Sequence, residues 1–98
     1  MSKFKELIQG ETPVLIDFYA DWCQPCKMMP PILKEVRSQL GDQVRILKID
    51  VDRNPQLANA LGIQGVPTLM IFKDGKTAWR QSGVVPAHQL VAILKGFL

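Results

Sequence analysis

The chain has two cysteines, Cys23 and Cys26, which stand three positions apart in the stretch ADWCQPCKMMP. Such a pair can ligate a metal, form a fixed disulfide, or pass electrons by making and breaking a disulfide. A closed zinc site needs four ligands, and the sequence has no second pair and one distant histidine, His88. A metal shared between two copies remains a weaker alternative. A fixed disulfide is also weaker, because closing so short a loop gains little chain entropy. The spacing favours redox exchange.

The position of the pair also favours redox chemistry. It follows VLIDFYA, a run typical of a strand buried on both faces, and it precedes a segment with the apolar period of a helix. Free amides and the helix dipole at a helix start favour an anion, so we expect a depressed pKa and a thiolate at Cys23. Pro25 suits a first helical position. Cys26, one turn further on, is placed to attack a mixed disulfide formed at Cys23.

A carboxylate inside the same predicted strand is the next candidate for chemistry. Asp17 has apolar residues on both flanks, and burial of a carboxylate is costly unless it has a partner or a role. Desolvation would raise its pKa, which suits a group that exchanges a proton with a nearby thiol. The alternative is an aspartate that points to water. Lys48, in a neighbouring predicted strand, is either its charge partner or an edge lysine.

The elements that position these residues alternate along the chain. The patterns predict helices at residues 2–9, 26–40 and 55–61 and a last helix from about Pro86, with an early kink or break where Pro30 and Pro31 interrupt the second helix. VLIDFYA and VRILKIDVD read as parallel strands of a βαβ unit, and TLMIF and TAWRQS as a hairpin around Asp74-Gly75. We predict an α/β fold, a four-stranded mixed sheet with helices on both faces.

Composition limits the class of protein. Ninety-eight residues, 47% of them hydrophobic, suit one domain with its own core. The net charge of +3 is scattered, which disfavours a nucleic-acid partner. Polar residues interrupt the N-terminal stretch and no apolar run approaches 20 residues, so neither a signal peptide nor a membrane association is expected. The expected location is cytoplasmic, where thiols are kept reduced unless they cycle.

Several separated motifs together resemble one family. VLIDFYADWCQPCKMMPPIL, IDVDRNP, GIQGVPTLMIFKDG and SGVV closely resemble thioredoxin in order and spacing, from about Pro13 onward. The resemblance implies a single thioredoxin-like domain over residues 1–98. It also implies that Cys23 is the exposed nucleophile, Cys26 the buried resolving thiol, Asp17 the buried acid behind them and Lys48 the lysine beside that acid.

The same resemblance implies a docking surface and an electron source. Pro67 matches a cis-proline that packs against the disulfide, whereas the residues alone favour trans. Val66, Gly83 and Trp22 match an apolar rim where an extended segment of a disulfide-containing target protein docks, and Gln24 and Pro25 lie in the same surface. No bound cofactor or metal is implied, because the cysteines carry the electrons. A flavin-dependent thioredoxin reductase drawing on NADPH would reduce the pair again.

Three departures from the family pattern qualify this interpretation. Gln24 stands at a usual glycine and bears on the redox potential, and Tyr19 replaces a usual tryptophan. The chain begins at the family's first helix, so its first edge strand is expected to be absent and VRILKIDV to form an exposed edge. The predicted function is a monomeric protein dithiol–disulfide oxidoreductase that reduces target disulfides. A disulfide isomerase or weak oxidant, and a binding module without turnover, are the alternatives.

Overall fold

A computed structural model describes residues 2–98 of the protein. Its elements follow the predicted order, and the first helix ends two residues earlier than expected. The helices are α1 Ser2–Leu7, α2 Met29–Leu40, α3 Pro55–Ala60 and α4 Ala87–Lys95, the strands are β1 Val14–Tyr19, β2 Arg45–Asp50, β3 Thr68–Lys73 and β4 Lys76–Ser82, and short 3₁₀ turns cover Pro25–Met28 and Gly41–Gln43. None of the described helices is long and apolar enough to cross a membrane.

The four strands form one mixed sheet in the order β2-β1-β3-β4. β1 and β2 are parallel, and β3 runs antiparallel to both β1 and β4. The βαβ unit and the mixed sheet predicted from the sequence are therefore confirmed. β2 is the outer strand of the described sheet on that side, as expected for VRILKIDV.

Helices cover both faces of the sheet, since alternate residues of a strand point to opposite faces. Leu15 of β1 and Ile71 of β3 pack with residues of α2 and α4. Ile16 and Met70 pack on the other side with residues of α1 and α3. Because β1 and β3 contribute to both cores, these two strands lie at the centre of the fold and position the reactive residues.

The start of α2 differs from the prediction in one respect. We expected Pro30 and Pro31 to interrupt a helix that begins at Cys26, and a break early in this segment is confirmed. The structure places a 3₁₀ turn at Pro25–Met28 and begins α2 at Met29. The prolines are thus in the first turn of α2, where backbone amides have no acceptor within the helix and their loss costs little.

The predicted hairpin joins β3 to β4. Its two turn residues, Asp74 and Gly75, have φ angles of 54° and 77°. Two consecutive residues with positive φ are typical of the turns that match the twist of a two-residue hairpin. The Asp-Gly pair therefore fixes the register that brings the end of β4 back beside the beginning of β3.

Candidate active site

The strand directions bring four segments to one edge of the sheet. The carboxyl ends of β1 and β2 lie at this edge because the strands are parallel, and the amino end of β3 joins them because β3 runs the opposite way. The carboxyl end of β4 lies there for the same reason. Trp22 to Cys26 follow β1, Val66 and Pro67 precede β3, and Gly83 follows β4. Residues far apart in sequence therefore meet around the cysteines.

Cys23 and Cys26 are joined by a disulfide, with their Cα atoms 5.3 Å apart. Cys23 lies just before the 3₁₀ turn, and the backbone N–H of Cys26 donates to the Cys23 sulfur at 3.1 Å. Pro25 is the first residue of that turn, in agreement with its predicted position. An amide aimed at a sulfur from the start of a helical segment stabilises the thiolate over the thiol. The geometry therefore favours Cys23 as the thiolate once the disulfide is reduced.

The exposure of the cysteines corrects one expectation. The resemblance implies an exposed Cys23 and a buried Cys26, but in the disulfide form their exposed fractions are 3% and 5%. Both pack in a small cluster with Ala20, against which Val66 also lies. The backbone oxygen of Val66 is 3.5 Å from the Cys23 sulfur. Segments from both sides thus cover the disulfide, and its amide contact rather than its exposure distinguishes Cys23.

The Val66–Pro67 peptide bond is cis. This agrees with the resemblance and overturns the trans bond that the residues alone favoured. The bond is held from two sides, because the N–H of Gly83 donates to the Pro67 oxygen at 2.8 Å and the Thr68 hydroxyl donates to the Gly65 oxygen at 2.6 Å. These contacts place the Val66 carbonyl against the disulfide.

The surface around the disulfide contains the residues that were expected to form the rim. Trp22 is 71% exposed, Gln24 and Pro25 are exposed, and Val66 and Gly83 are half-buried. The indole N–H of Trp22 donates to a carboxylate oxygen of Asp52 at 2.9 Å. Sequence reasoning missed Asp52, although its place two residues after the end of β2 indicates this edge of the sheet.

Asp17 is fully buried and lies in register with Lys48 across β1 and β2. Neither carboxylate oxygen accepts a hydrogen bond from any described residue, so the alternative of an aspartate pointing to water is wrong. Burial raises the pKa of Asp17 from 3.8 to about 6, while the nearby charge of Lys48 lowers it. A carboxyl group with this pKa can take up and release a proton near neutral pH.

Lys48 combines both interpretations that the sequence left open. Its charge acts on Asp17, yet it is exposed on the edge strand. Among the described residues the one ion pair is Arg53 with Asp50, at 3.8 Å, so Lys48 and Asp17 are not in direct contact. The ammonium of Lys48 instead lies 4.8 Å from the centre of the Tyr19 ring.

A small pocket gives access to this side of the cysteine pair. It has a volume of about 160 Å³ and is lined by Cys26, with residues of β1 and the loop after it, the 3₁₀ turn, α2 and β2 around it: Tyr19, Ala20, Asp21, Lys27, Pro30 and Lys48. Within the described part of the chain, no group of three histidine, cysteine or acidic residues is arranged to hold a metal ion. The arrangement suits thiol chemistry with proton exchange.

Comparison with known proteins agrees with this geometry. The thioredoxin family model matches residues 1–96. Chloroplastic thioredoxin Y of rice is 46% identical over 98 residues, which cover 99% of this chain and 58% of that protein. A thioredoxin-like protein of Synechocystis is also 46% identical, and 93% of its length is covered. The chain therefore spans little more than half of the rice relative and nearly all of the cyanobacterial one.

The fold is also found among solved structures. A mutant thioredoxin of Halobacterium salinarum superposes with a TM-score of 0.88 at 35% identity, covering 99% of this chain and 84% of that one. The similarity extends over both cores and the edge of the sheet that bears the cysteines.

Proposed function

The chain belongs to the thioredoxin family, whose members are thiol–disulfide oxidoreductases, and we propose that it reduces disulfide bonds of other proteins through Cys23 and Cys26. One observation carries this proposal. The Cys26 amide donates to the Cys23 sulfur in the loop that follows the buried strand β1, and that strand contains an acid without a hydrogen-bond partner among the described residues, whose pKa is raised to about 6. A nucleophile and a proton acceptor are thus provided within one short segment.

The reaction proceeds in two exchange steps. The Cys23 thiolate attacks one sulfur of the target disulfide, forming a mixed disulfide and releasing the other target sulfur as a thiolate. Cys26 then gives its proton to Asp17 and attacks the Cys23 sulfur. The second target sulfur leaves, and the Cys23–Cys26 disulfide remains. Two electrons have moved from the protein to the target, and Asp17 returns its proton to a released thiolate or to solvent.

Docking of the target uses the surface around the disulfide. Because Cys23 is nearly buried, a partner must approach closely between Trp22 on one side and Val66 and Gly83 on the other. An extended segment fits this site, since the exposed indole supplies apolar contact area and the loop before Pro67 offers backbone groups. Gln24 and Pro25 complete the contact at the rim.

The electron supply, the partners and the location are proposals as well. The cysteines hold the electrons, so the protein needs no bound cofactor, and a thioredoxin reductase drawing on NADPH would reduce the pair after each turnover. The protein would act as a monomer and would transfer electrons to disulfide-containing proteins. This electron transport would contribute to cell redox homeostasis. A cytoplasmic location remains the prediction from the sequence, whereas the rice relative is named as chloroplastic.

A trapping experiment tests the proposed reaction. In a Cys26→Ser variant the mixed disulfide cannot be resolved, so covalent complexes with target proteins should accumulate and should disappear on addition of dithiothreitol. The matched Cys23→Ser variant lacks the attacking sulfur and should trap far fewer. Equal trapping by both variants would contradict the assigned roles, and non-covalent binding that survives in a double serine variant would favour a binding module.

A redox titration separates the reductant from the isomerase or weak oxidant. The wild-type protein is equilibrated with defined thiol–disulfide buffers and the tryptophan emission is recorded. A reductant is expected to show a single two-electron transition that is more reducing than the cytosolic glutathione pool, whose potential is about −220 to −260 mV by extraction. A transition on the oxidising side would overturn the proposed direction of electron flow.

A further inference from the structure

Tyr19 and Lys48 form a contact that the reaction steps above do not use. Tyr19 ends β1, two residues after Asp17, so both side chains point to the same face of the sheet. Lys48 lies opposite Asp17 on the parallel strand β2, and its ammonium is 4.8 Å from the centre of the Tyr19 ring. This is within the range of an attractive contact between a cation and an aromatic face.

The ring determines where the lysine charge sits. A lysine on an edge strand has a long, flexible side chain and ordinarily extends into water. Here no described residue forms an ion pair or a hydrogen bond with Lys48, so the ring is the contact that restrains its ammonium. Because Asp17 keeps both oxygens unbonded, the charge acts on the carboxylate from a distance and leaves it free to accept a proton.

The pocket beside Cys26 is where these groups converge. Tyr19 and Lys48 line it together with Cys26. The other charged groups around it are Asp21, which follows β1, and Lys27 on the 3₁₀ turn. A restrained Lys48 ammonium therefore places a fixed positive charge at the pocket that Cys26 lines.

We propose that Tyr19 is a positioning residue, whose ring holds the ammonium of Lys48 at this pocket so that the lysine assists proton transfer between Cys26 and Asp17 without ion-pairing with the acid. The role of Lys48 in proton transfer rests on the proposed function, whereas the placement of its charge by Tyr19 does not. The ring rather than the hydroxyl provides the contact, so phenylalanine or tryptophan at this position would preserve it.

The test measures the titration of Asp17 directly. Carboxyl carbon NMR of the disulfide form follows this group without interference from the cysteines, which do not titrate while bonded. In Tyr19→Leu the released ammonium moves out into water, and we expect the titration midpoint of Asp17 to rise, because the charge that lowers its pKa has moved away. Tyr19→Phe should keep the wild-type midpoint.

A double variant shows whether Tyr19 acts through Lys48. Lys48→Met removes the charge and should raise the midpoint by itself, and adding Tyr19→Leu should then cause no further rise. A rise of the same size in both backgrounds, or none in Tyr19→Leu alone, would overturn the proposal. If Tyr19→Leu does not fold, the wild-type spectrum decides, because methylene protons of Lys48 held over a ring must show a ring-current shift that Tyr19→Phe retains.

The activity profile separates this proposal from the proposed function. Reduction of a disulfide-containing protein is followed against pH for the wild type and Tyr19→Leu. A wild-type protein without reductase activity would overturn the proposed function while the NMR result still decides the role of Tyr19. If the wild type is active but the titration midpoint of Asp17 is the same in the wild type and in Tyr19→Leu, only the positioning role is overturned.

Discussion

Replacement of Asp17 by asparagine should stabilise the oxidised protein, and the gain should depend on pH. Asparagine has nearly the shape of a protonated aspartic acid but does not ionise. Asp17 is fully buried and its oxygens have no hydrogen-bond partner among the described residues, so its charged form has lost its hydration without a compensating bond. The variant removes that cost and leaves the packing of β1 almost unchanged.

The size of the effect follows from the raised pKa. Burial moves the pKa of Asp17 from 3.8 to about 6. A carboxyl group whose pKa is higher in the folded state binds more protons there. The contribution of Asp17 to the free energy of unfolding is therefore fully present below about pH 4 and is lost as the pH rises through about 6. One pKa unit corresponds to about 1.4 kcal/mol, so the loss amounts to about 3 kcal/mol. Asp17→Asn should match the wild type near pH 4 and exceed its free energy of unfolding by about 3 kcal/mol at pH 8.

Urea unfolding at several pH values measures this difference. Both proteins are kept in the disulfide form, so that the cysteines do not contribute a titration, and unfolding is followed by tryptophan fluorescence. With an m-value of about 1–3 kcal/mol per molar, the unfolding midpoints at pH 8 should differ by about 1–3 M urea. The matched control is Asp42→Asn, because Asp42 is exposed and its replacement removes no buried charge.

A difference between Asp17→Asn and the wild type that stays constant from pH 4 to pH 8 would refute the reasoning. It would mean that the carboxyl group has the same proton affinity in the folded and unfolded chains, and that its burial costs nothing specific to the charge. A variant less stable than the wild type at pH 8 would show that the ionised group has partners in solution. Either result would remove the basis for proton uptake by Asp17.

Three further substitutions test the framework around the site. Arg80→Ala should lower the free energy of unfolding by about 1–3 kcal/mol in urea titrations, because its guanidinium donates to the Leu61 and Gly62 oxygens just after α3. A loss equal to that of Lys34→Ala, which removes an exposed side chain without such bonds, would contradict this. Asp52→Ala should lower the free energy of unfolding by about 0.5–1.5 kcal/mol. It should also shift the fluorescence emission of Trp22, because the carboxylate of Asp52 accepts a hydrogen bond from the indole N–H; an unchanged spectrum would show that the bond is absent in solution. Phe18→Ala empties a fully buried position and should cost about 3–5 kcal/mol by thermal or urea unfolding, with a loss below 1 kcal/mol speaking against the core packing.

Local patterns were sufficient to predict the scaffold of the site. The apolar flanks of Asp17 indicated its burial, and the change of period after VLIDFYA placed the cysteines between a strand and a helical segment. The Asp-Gly pair predicted the hairpin, whose register the positive φ angles now explain. These features depend on residues close together in the chain, so the physical causes are present in the sequence itself.

Features that depend on distant residues were not predictable in the same way. Cys23 is covered because Val66, 43 residues later, packs against it, and no local pattern of the cysteine motif contains that contact. The cis bond before Pro67 is a minority state for any such peptide, and only the resemblance to thioredoxin indicated it. The bond from Trp22 to Asp52 likewise appears only once β1 and β2 are placed side by side.

The conformation of Gln24, which lies between the cysteines, limits the ways in which this residue can affect the reaction. Gln24 has φ and ψ angles of −66° and −46°, and a negative φ does not call for glycine, although the helical region is disfavoured for a residue that precedes proline. Glycine at this position would therefore not be required by the backbone, and its replacement leaves the amide of Cys26 aimed at the Cys23 sulfur. The Gln24 side chain is exposed and makes no capping bond. We therefore expect Gln24 to influence the reaction through the contacts of its side-chain amide with a docked target or through the solvation of the disulfide, rather than through a change in backbone conformation.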